Sequence, residues 1–301
     1  MDAGFSEKII ISASRRSDIP AFYMDWFMQQ IEQGFFEVIN PYNRKATVVP
    51  AAPDKVHTIV FWSKNFGPFI QGGYGQMLAV MGYNLFFNFT INSDSFLLEP
   101  RMPPLKERCQ QLDMLCQMFD AQSVTWRFDP ICFYVTNQVN IHNNLHDFAL
   151  IADRAFHSGV SRCITSFMDD YSKIRKRVAR LPGFAFIDPP LATKREILLD
   201  IKKTLAAKNI DLFTCCEKQV LETLPADARI KPSACIPNRL LVDLFSGNLS
   251  FKKDAGQRIK DGCGCMVSVD IGSYRLHPCY HNCLFCYANP SSENKTTDFT
   301  N

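Results

Sequence analysis

Short apolar runs alternate with longer amphipathic stretches along the first two thirds of the chain. The runs cover residues 8–14, 57–63, 84–90, 123–126, 162–167 and 211–214. Apolar runs of about four to eight residues with polar residues at both ends are typical of strands buried in a parallel sheet. We therefore predict six buried strands.

The gaps between these runs predict helices, because apolar residues recur there every three or four positions. The predicted helices cover about residues 21–33, 68–81, 103–119, 145–156 and 193–205, and residues 35–52 predict a small hairpin. Asp18 can cap the first helix, and Thr193 with Glu196 forms a capping box at the last. Regular alternation favours an α/β fold, which we predict to be a partial TIM-like (βα)6 barrel.

The alternation stops after residue 224. Residues 225–301 carry Pro, Gly and Cys, with one short helical signal near residues 239–245. A segment this irregular does not bury a core of its own, and a bound metal can supply the missing order. We expect two parts: residues 1–224 as the barrel domain, and residues 225–301 as a Cys-rich irregular segment packed over the barrel mouth.

Composition excludes several classes of protein. The chain has 301 residues, and Lys plus Arg exceed Asp plus Glu by 33 − 30 = 3, which gives no reason by itself to expect nucleic acid. No apolar run is long enough for a membrane span, and the first residues lack a secretory pattern, so we expect a cytoplasmic protein without membrane contact. Twelve cysteines in a reducing compartment suggest metal or redox ligands rather than disulfides.

Three cysteines near the end have the spacing of a metal-binding loop. Cys279, Cys283 and Cys286 form a Cys-x-x-x-Cys-x-x-Cys pattern, with Phe285 directly before the last. Thiolates suit iron–sulfur clusters and zinc. Three thiols can hold a 4Fe-4S cluster with one open iron, whereas a structural zinc site needs a fourth ligand, such as His277 or His281.

A second group of thiols lies upstream. Four of its five members could hold a second Fe-S cluster or Zn, or all five could be free thiols. The group comprises Cys215, Cys216, Cys235, Cys263 and Cys265, of which we favour the last four as metal ligands. The remaining cysteines, Cys109, Cys116, Cys132 and Cys163, lie in apolar patterns that are typical of core positions.

Polar residues follow several predicted strands, where parallel α/β barrels place their active sites. Arg127 and Asp129 alternate and so point the same way, and with Lys64 they are our candidate catalytic residues. We name three candidate cofactor-binding residues, Arg15, Arg16 and Asp18. The arginines could hold a carboxylate or phosphate through two hydrogen bonds each. A basic run at residues 173–180 predicts either a solvated helix face or a nucleic-acid contact.

Several motifs resemble a bacterial family of unknown function, DUF1848. They are residues 14–20 (SRRSDIP), 60–65 (VFWSKN), 126–130 (WRFDP), 263–265, 270–272 and 279–287. The cysteine spacing of the last motif resembles that of the radical S-adenosylmethionine (SAM) enzymes. The resemblance implies a 4Fe-4S cluster on Cys279, Cys283 and Cys286 that cleaves SAM reductively. It also implies hydrogen abstraction from an unknown small-molecule or nucleic-acid substrate, and an electron donor such as flavodoxin or ferredoxin.

The chain departs from the radical SAM pattern in two respects that keep other functions open. In that family the cluster loop follows the first strand, whereas here Arg15 and Arg16 follow it and the cysteines come last. A glycine–glutamate motif for SAM is also missing after the strands. The alternatives are a nucleic-acid-binding protein ordered by Zn or Fe-S, and a non-radical redox protein.

Overall fold

The computed structural model describes residues 7–40, 44–137 and 140–288. The strands are β1 (Ile9–Ala13), β2 (Phe35–Ile39), β3 (Ala46–Pro50), β4 (Val56–Ser63), β5 (Asn84–Thr90), β6 (Val124–Ile131), β7 (Phe133–Thr136), β8 (Asn140–Asn143), β9 (Arg162–Phe167), β10 (Phe184–Ile187), β11 (Asp211–Thr214), β12 (Lys231–Pro232) and β13 (Val269–Asp270). The α-helices are α1 (Ile19–Phe22), α2 (Met24–Gln33), α3 (Gly67–Gln71), α4 (Tyr74–Val80), α5 (Leu105–Phe119), α6 (Phe148–His157), α7 (Ser172–Val178), α8 (Leu191–Ala206), α9 (Lys218–Leu221) and α10 (Asn238–Phe245).

The described residues form a mixed α/β fold around an eight-stranded parallel sheet. Its order is β12-β11-β9-β6-β5-β4-β1-β13, with helices packed against it. The six predicted strands are confirmed, and they lie side by side in chain order from β1 to β11. Because parallel strands all end at the same edge, the residues that follow them are brought together.

Successive residues of β1, β4 and β5 point to opposite faces of the sheet, and each face packs against a different part of the chain. Ile11, Phe61 and Phe87 pack with the helices in the main core. Their neighbours Ile10, Val60 and Phe86 point to the other face and pack against Ile236, Leu241 and Leu249 from the last quarter of the chain. The continuous apolar runs of the sequence follow from this arrangement, because both faces of the sheet are covered.

The last part of the chain joins the sheet at both of its edges. β12 pairs with β11, and β13 pairs with β1. Between them, the Gly264 amide donates to the Ser233 carbonyl over 3.0 Å, and the Met266 amide donates to the Ile236 carbonyl over 3.2 Å. Residues after 225 therefore run from one edge strand to the other and complete the wall of the cavity described below.

Several helices and strands differ from the predictions. The predicted helix at residues 68–81 is two helices, because Gly73 adopts a left-handed φ of 65° between α3 and α4. The predicted helix at residues 21–33 begins earlier and is interrupted at Tyr23, which ends α1 and precedes α2. The predicted hairpin is confirmed as β2 and β3. A three-stranded antiparallel sheet, β10-β7-β8, was not predicted.

Within the described residues, no helix combines the length and apolarity that crossing a bilayer requires.

Candidate active site with two cysteine groups

A cavity of about 410 Å³ lies at the carboxyl ends of the parallel strands. Its wall includes Arg15 and Asp18 after β1, Lys64 after β4, and Arg127 with Asp129 near the end of β6. These are the positions at which parallel α/β folds place ligands. The candidate residues from the strand ends therefore share one cavity, apart from Arg16, whose guanidinium donates to the Gly272 carbonyl over 3.1 Å.

Both cysteine groups line the same cavity. Among the described residues, its wall includes eight of the 12 cysteines. They are Cys279, Cys283 and Cys286, which we call the late triad, and Cys215, Cys216, Cys235, Cys263 and Cys265, which we call the five-thiol group. The sequence separates members of the five-thiol group by up to 50 positions, so the fold alone makes them neighbours.

Contacts on several sides fix the loop that carries the late triad. Its residues form hydrogen bonds with distant elements. The Tyr23 hydroxyl donates to the Pro278 carbonyl over 2.6 Å, and the Leu284 amide donates to the Leu98 carbonyl over 2.8 Å. Arg177 donates to the carbonyls of Leu284 and Cys286 over 2.7 and 3.1 Å, and the Tyr287 hydroxyl donates to the Arg15 carbonyl over 2.9 Å. Arg177 belongs to the predicted basic run, so part of that run holds the cysteine loop.

An ion pair lies beside the late triad. Lys64 Nζ is 2.6 Å from Glu99 Oε1, and the same oxygen is 3.6 Å from Cys283 Sγ. Burial works against the charge on Lys64, but the combined effect of Glu99, Cys283 and Asp129 outweighs it and raises the pKa of Lys64. Burial raises the pKa of the Cys283 thiol, and Glu99 raises it further. A bound metal cation would reverse this preference, because ligand thiols lose their protons when they bind.

Asp18 and His281 form a buried pair at the cavity wall. His281 Nε2 lies 2.7 Å from Asp18 Oδ2, which also accepts the Lys64 amide over 2.9 Å. Asp18 Oδ1 accepts the Ala21 amide over 3.0 Å, which caps α1 as predicted. His281 Nδ1 is buried and has no hydrogen-bond partner among the described residues. His277 instead packs against Trp26, with ring centroids 4.0 Å apart, and is not part of the cavity wall.

Arg127 connects the two halves of the site. Its Nη1 lies 2.8 Å from Cys235 Sγ, and its Nη2 bonds to Asp129, which also accepts the Ser166 hydroxyl. Two guanidinium groups lie near the Trp62 ring, that of Arg15 at 5.5 Å and that of Arg127 at 5.4 Å from the ring centroid. The charge of Arg127 is thus shared between a carboxylate and a sulfur.

Sulfur atoms of the five-thiol group are close neighbours. Cys215 Sγ lies 3.7 Å from Cys216 Sγ and 3.8 Å from Cys235 Sγ. Hydrogen bonds from Cys215 and Cys263 lower the pKa of Cys216 to about 4. Among the residues that the structure describes, however, no three or more Cys, His, Asp or Glu side chains are arranged as ligands of a single metal ion.

Some residues of the site could not be identified from the sequence. Glu99 precedes a loop proline and follows no predicted strand, so nothing in the sequence marks it as the partner of Lys64. Asp270 does lie in a quoted motif. It accepts hydrogen bonds from the hydroxyls of Ser12 and Ser14 and from the amide of Arg15, over 2.7 to 3.0 Å. It thereby fixes the loop that presents Arg15 to the cavity.

Comparisons with known proteins identify the family. A crystal structure of D-hydantoinase matches with 9% sequence identity over 54% of this chain and 34% of that chain, about a third of its length. Its TM-score is 0.29, which is too low to support any argument. No curated protein sequence matches this one. The family model described as Domain of unknown function (DUF1848) matches residues 10–288. The chain belongs to the DUF1848 family.

Proposed function

We propose that this protein is an iron–sulfur enzyme of the radical SAM type, built on a partial TIM-like barrel. One observation carries the proposal: the late triad lines the same cavity as Lys64, Arg127 and Asp129. Cysteines on the outer wall of the sheet would have no access to a substrate bound at the strand ends. The consecutive order of the strands and their two covered faces support the barrel scaffold.

The donor set of the late triad fits a 4Fe-4S cluster. It consists of three soft thiols, which would leave one iron of a cubane open. Such a cluster attaches each cysteine to a different iron, so its ligands need not converge on one point. A single zinc ion does need convergence, and no such arrangement occurs in the described residues.

When bound, the cluster would supply the electron that cleaves SAM to a carbon-centred radical. The chain's own residues would bind and orient the reactants. The cavity volume of about 410 Å³ lies in the range of small-molecule sites. Arg15 offers a guanidinium that can bind a carboxylate. Asp129, fixed by Arg127 and Ser166, offers a carboxylate to a polar substrate group.

We also propose a cytoplasmic location and a small redox protein, such as flavodoxin or ferredoxin, as electron donor. All 12 cysteines are free thiols in the structure. A reducing compartment keeps them so. The substrate class stays open between small molecules and nucleic acids. The basic helix α7 gives little support to nucleic acid, because Arg175 pairs with Asp170 and Arg177 binds the cysteine loop.

Reductive cleavage of SAM tests the proposal directly. The protein is reconstituted anaerobically with iron and sulfide, reduced with dithionite and supplied with SAM. We expect release of 5′-deoxyadenosine, and its loss in the Cys283→Ala variant. Cys116→Ala, on the buried face of α5, is the matched control and should retain the activity. A loaded and reducible cluster that leaves SAM intact would refute the enzymatic proposal.

A further inference from the structure

We propose that Cys215, Cys216 and Cys235 form a redox centre that reduces a small-molecule disulfide and is itself oxidised to a Cys215–Cys235 disulfide. The three residues belong to the five-thiol group and line the same cavity as the late triad. Disulfides of proteins in a reducing compartment are usually transient and catalytic. This chemistry is independent of SAM cleavage at the late triad.

Cys215 is in contact with both of the other thiols. Its Sγ lies 3.7 Å from Cys216 Sγ and 3.8 Å from Cys235 Sγ. A disulfide has an S–S bond of about 2 Å, so either pair of sulfurs has to approach by less than about 2 Å to form one. Cys215 can therefore exchange a disulfide bond with either neighbour.

The backbone distinguishes the two pairs. Adjacent residues have Cα atoms about 3.8 Å apart, below the range of about 4.4 to 6.8 Å that disulfides usually span. A bond between Cys215 and Cys216 is therefore strained and easily broken. Cys235 follows β12, whose next residue, Ser233, donates its amide to the Thr214 carbonyl over 2.7 Å. Neighbouring strands lie about 4.8 Å apart, so the bond between Cys215 and Cys235 is the stable product.

The three thiols differ in their access to the cavity. Cys215 and Cys216 are half-buried, whereas Cys235 is only 4% exposed. Cys216 also has the lowered pKa of about 4 described above, and the thiolate is the form that attacks a disulfide. Cys216 is therefore the thiol that meets the substrate, and Cys235 is the thiol that completes the reaction.

The reaction takes three exchange steps, and each replaces one S–S bond by another. The Cys216 thiolate attacks the small disulfide, releases one small thiolate and keeps the other half as a mixed disulfide. Cys215 attacks the Cys216 sulfur and releases the second small thiolate. Cys235 then attacks the Cys215 sulfur and releases the Cys216 thiolate.

Protons and electrons balance over the three steps. Cys215 and Cys235 each lose a proton, and these protons convert the two released thiolates to thiols. The small disulfide gains two electrons, and the protein loses them as the Cys215–Cys235 bond forms. A dithiol reductant reverses the change and restores the centre.

Arg127 holds the sulfur that acts last. Its Nη1 is 2.8 Å from Cys235 Sγ, while its Nη2 bonds to Asp129. A guanidinium can only donate, so the sulfur is the acceptor. A neighbouring arginine favours the thiolate form of a cysteine. Arg127 therefore helps the buried Cys235 to release its proton as it attacks Cys215.

Disulfide mapping of the full chain tests this centre. The protein is reduced, freed of reductant, treated anaerobically with bis(2-hydroxyethyl) disulfide, alkylated and analysed by peptide mass spectrometry. Trypsin leaves Cys215 and Cys216 on one peptide (209–218) and Cys235 on another (230–239), and fragment spectra separate the first two. We expect one new link, between Cys215 and Cys235.

Variants test the order of the steps. Cys235→Ser should lose the link and should keep half of the reagent as a mixed disulfide, because the last exchange is blocked. Cys116→Ala, on the buried face of α5, is the matched control and should form the link as the unmodified chain does.

Other outcomes overturn the proposal. Complete alkylation of Cys215 and Cys235 after treatment would show that they do not exchange with a small disulfide. A link that joins other cysteines would refute the assignment of the pair. Zinc that is bound stoichiometrically in the purified protein, and is released when these thiols are modified, would make them metal ligands instead. The map of the unmodified protein decides the matter even if a variant fails to fold, and failure of SAM cleavage would not affect it.

Discussion

At the scale of single residues, His57 shows how one buried side chain joins distant parts of the chain. Its ring bonds to the Thr58 hydroxyl over 2.7 Å and to the Ser246 carbonyl over 2.7 Å. The carbonyl can only accept, so Nε2 donates to it, and Nδ1 of a neutral ring accepts from Thr58. The neutral form therefore satisfies both contacts, and they fix the end of α10 against β4.

Burial lowers the pKa of His57 below its usual value of 6.5. A lowered folded-state pKa means that the unfolded chain binds a proton more readily at mildly acidic pH. The free energy of unfolding should therefore fall as pH decreases below about 6.5, by at most about 1.4 kcal/mol per pH unit for this group. Urea titrations at several pH values measure the slope, which His57→Asn should reduce. His157→Gln, at the exposed end of α6, should leave it unchanged; an equal effect of both variants would contradict the assignment.

At the scale of elements, Gly272 determines how β13 meets β1. A Cβ atom there would lie 2.0 Å from the Ser14 hydroxyl oxygen, which itself donates to Asp270 over 2.7 Å. Gly272→Ala should therefore separate β13 from the loop after β1. Overpacking of this kind costs about 1 to 3 kcal/mol in the free energy of unfolding. Chemical denaturation measures the loss.

The matched control for this change is Gly256→Ala in the same part of the chain. A Cβ atom at Gly256 would meet only the side chain of Asp254, at 3.2 Å. That side chain can move, so we expect a much smaller effect. Equal losses of stability in the two variants would show that the close approach of β13 to β1 is unimportant.

Elements were predictable from the sequence where both faces of a strand are buried. β4 and β5 are almost wholly buried, so they appear as unbroken apolar runs. β8 is exposed along its length, and it exists only because Phe133–Thr136 pairs with it, so its sequence carries no such signal. β12 and β13 have two residues each, which is too short for any periodicity. Local patterns also limit what the sequence indicates about the site. The cysteine spacing identified the late triad as candidate metal ligands, whereas the contact between Arg127 and Cys235 joins residues far apart in the sequence and has no local pattern.

At the scale of the whole molecule, the last quarter of the chain acts as structural core as well as cavity wall. Ile236, Leu241 and Leu249 cover the face of the sheet that carries Ile10 and Val60. β12 and β13 extend the sheet at both edges. The five-thiol group combines residues from both parts of the chain, so the cavity wall is complete only when the last quarter is packed on the sheet.

The predicted division at residue 224 can be tested by expressing residues 1–224 alone. This fragment lacks the residues that cover Ile10, Val60 and Phe86, and it leaves β1 and β11 as unpaired edges of a parallel sheet. Exposed apolar surface and free edges promote association between chains. We therefore expect the fragment to aggregate or to bind a hydrophobic dye strongly. The control is a chain that ends at residue 288. It retains every strand and helix named above and should behave as the full chain does. Size-exclusion chromatography and dye fluorescence measure both properties. A monomeric fragment with a cooperative unfolding transition would show that residues 1–224 are an independent domain, and that the later residues add only the chemistry of the cavity.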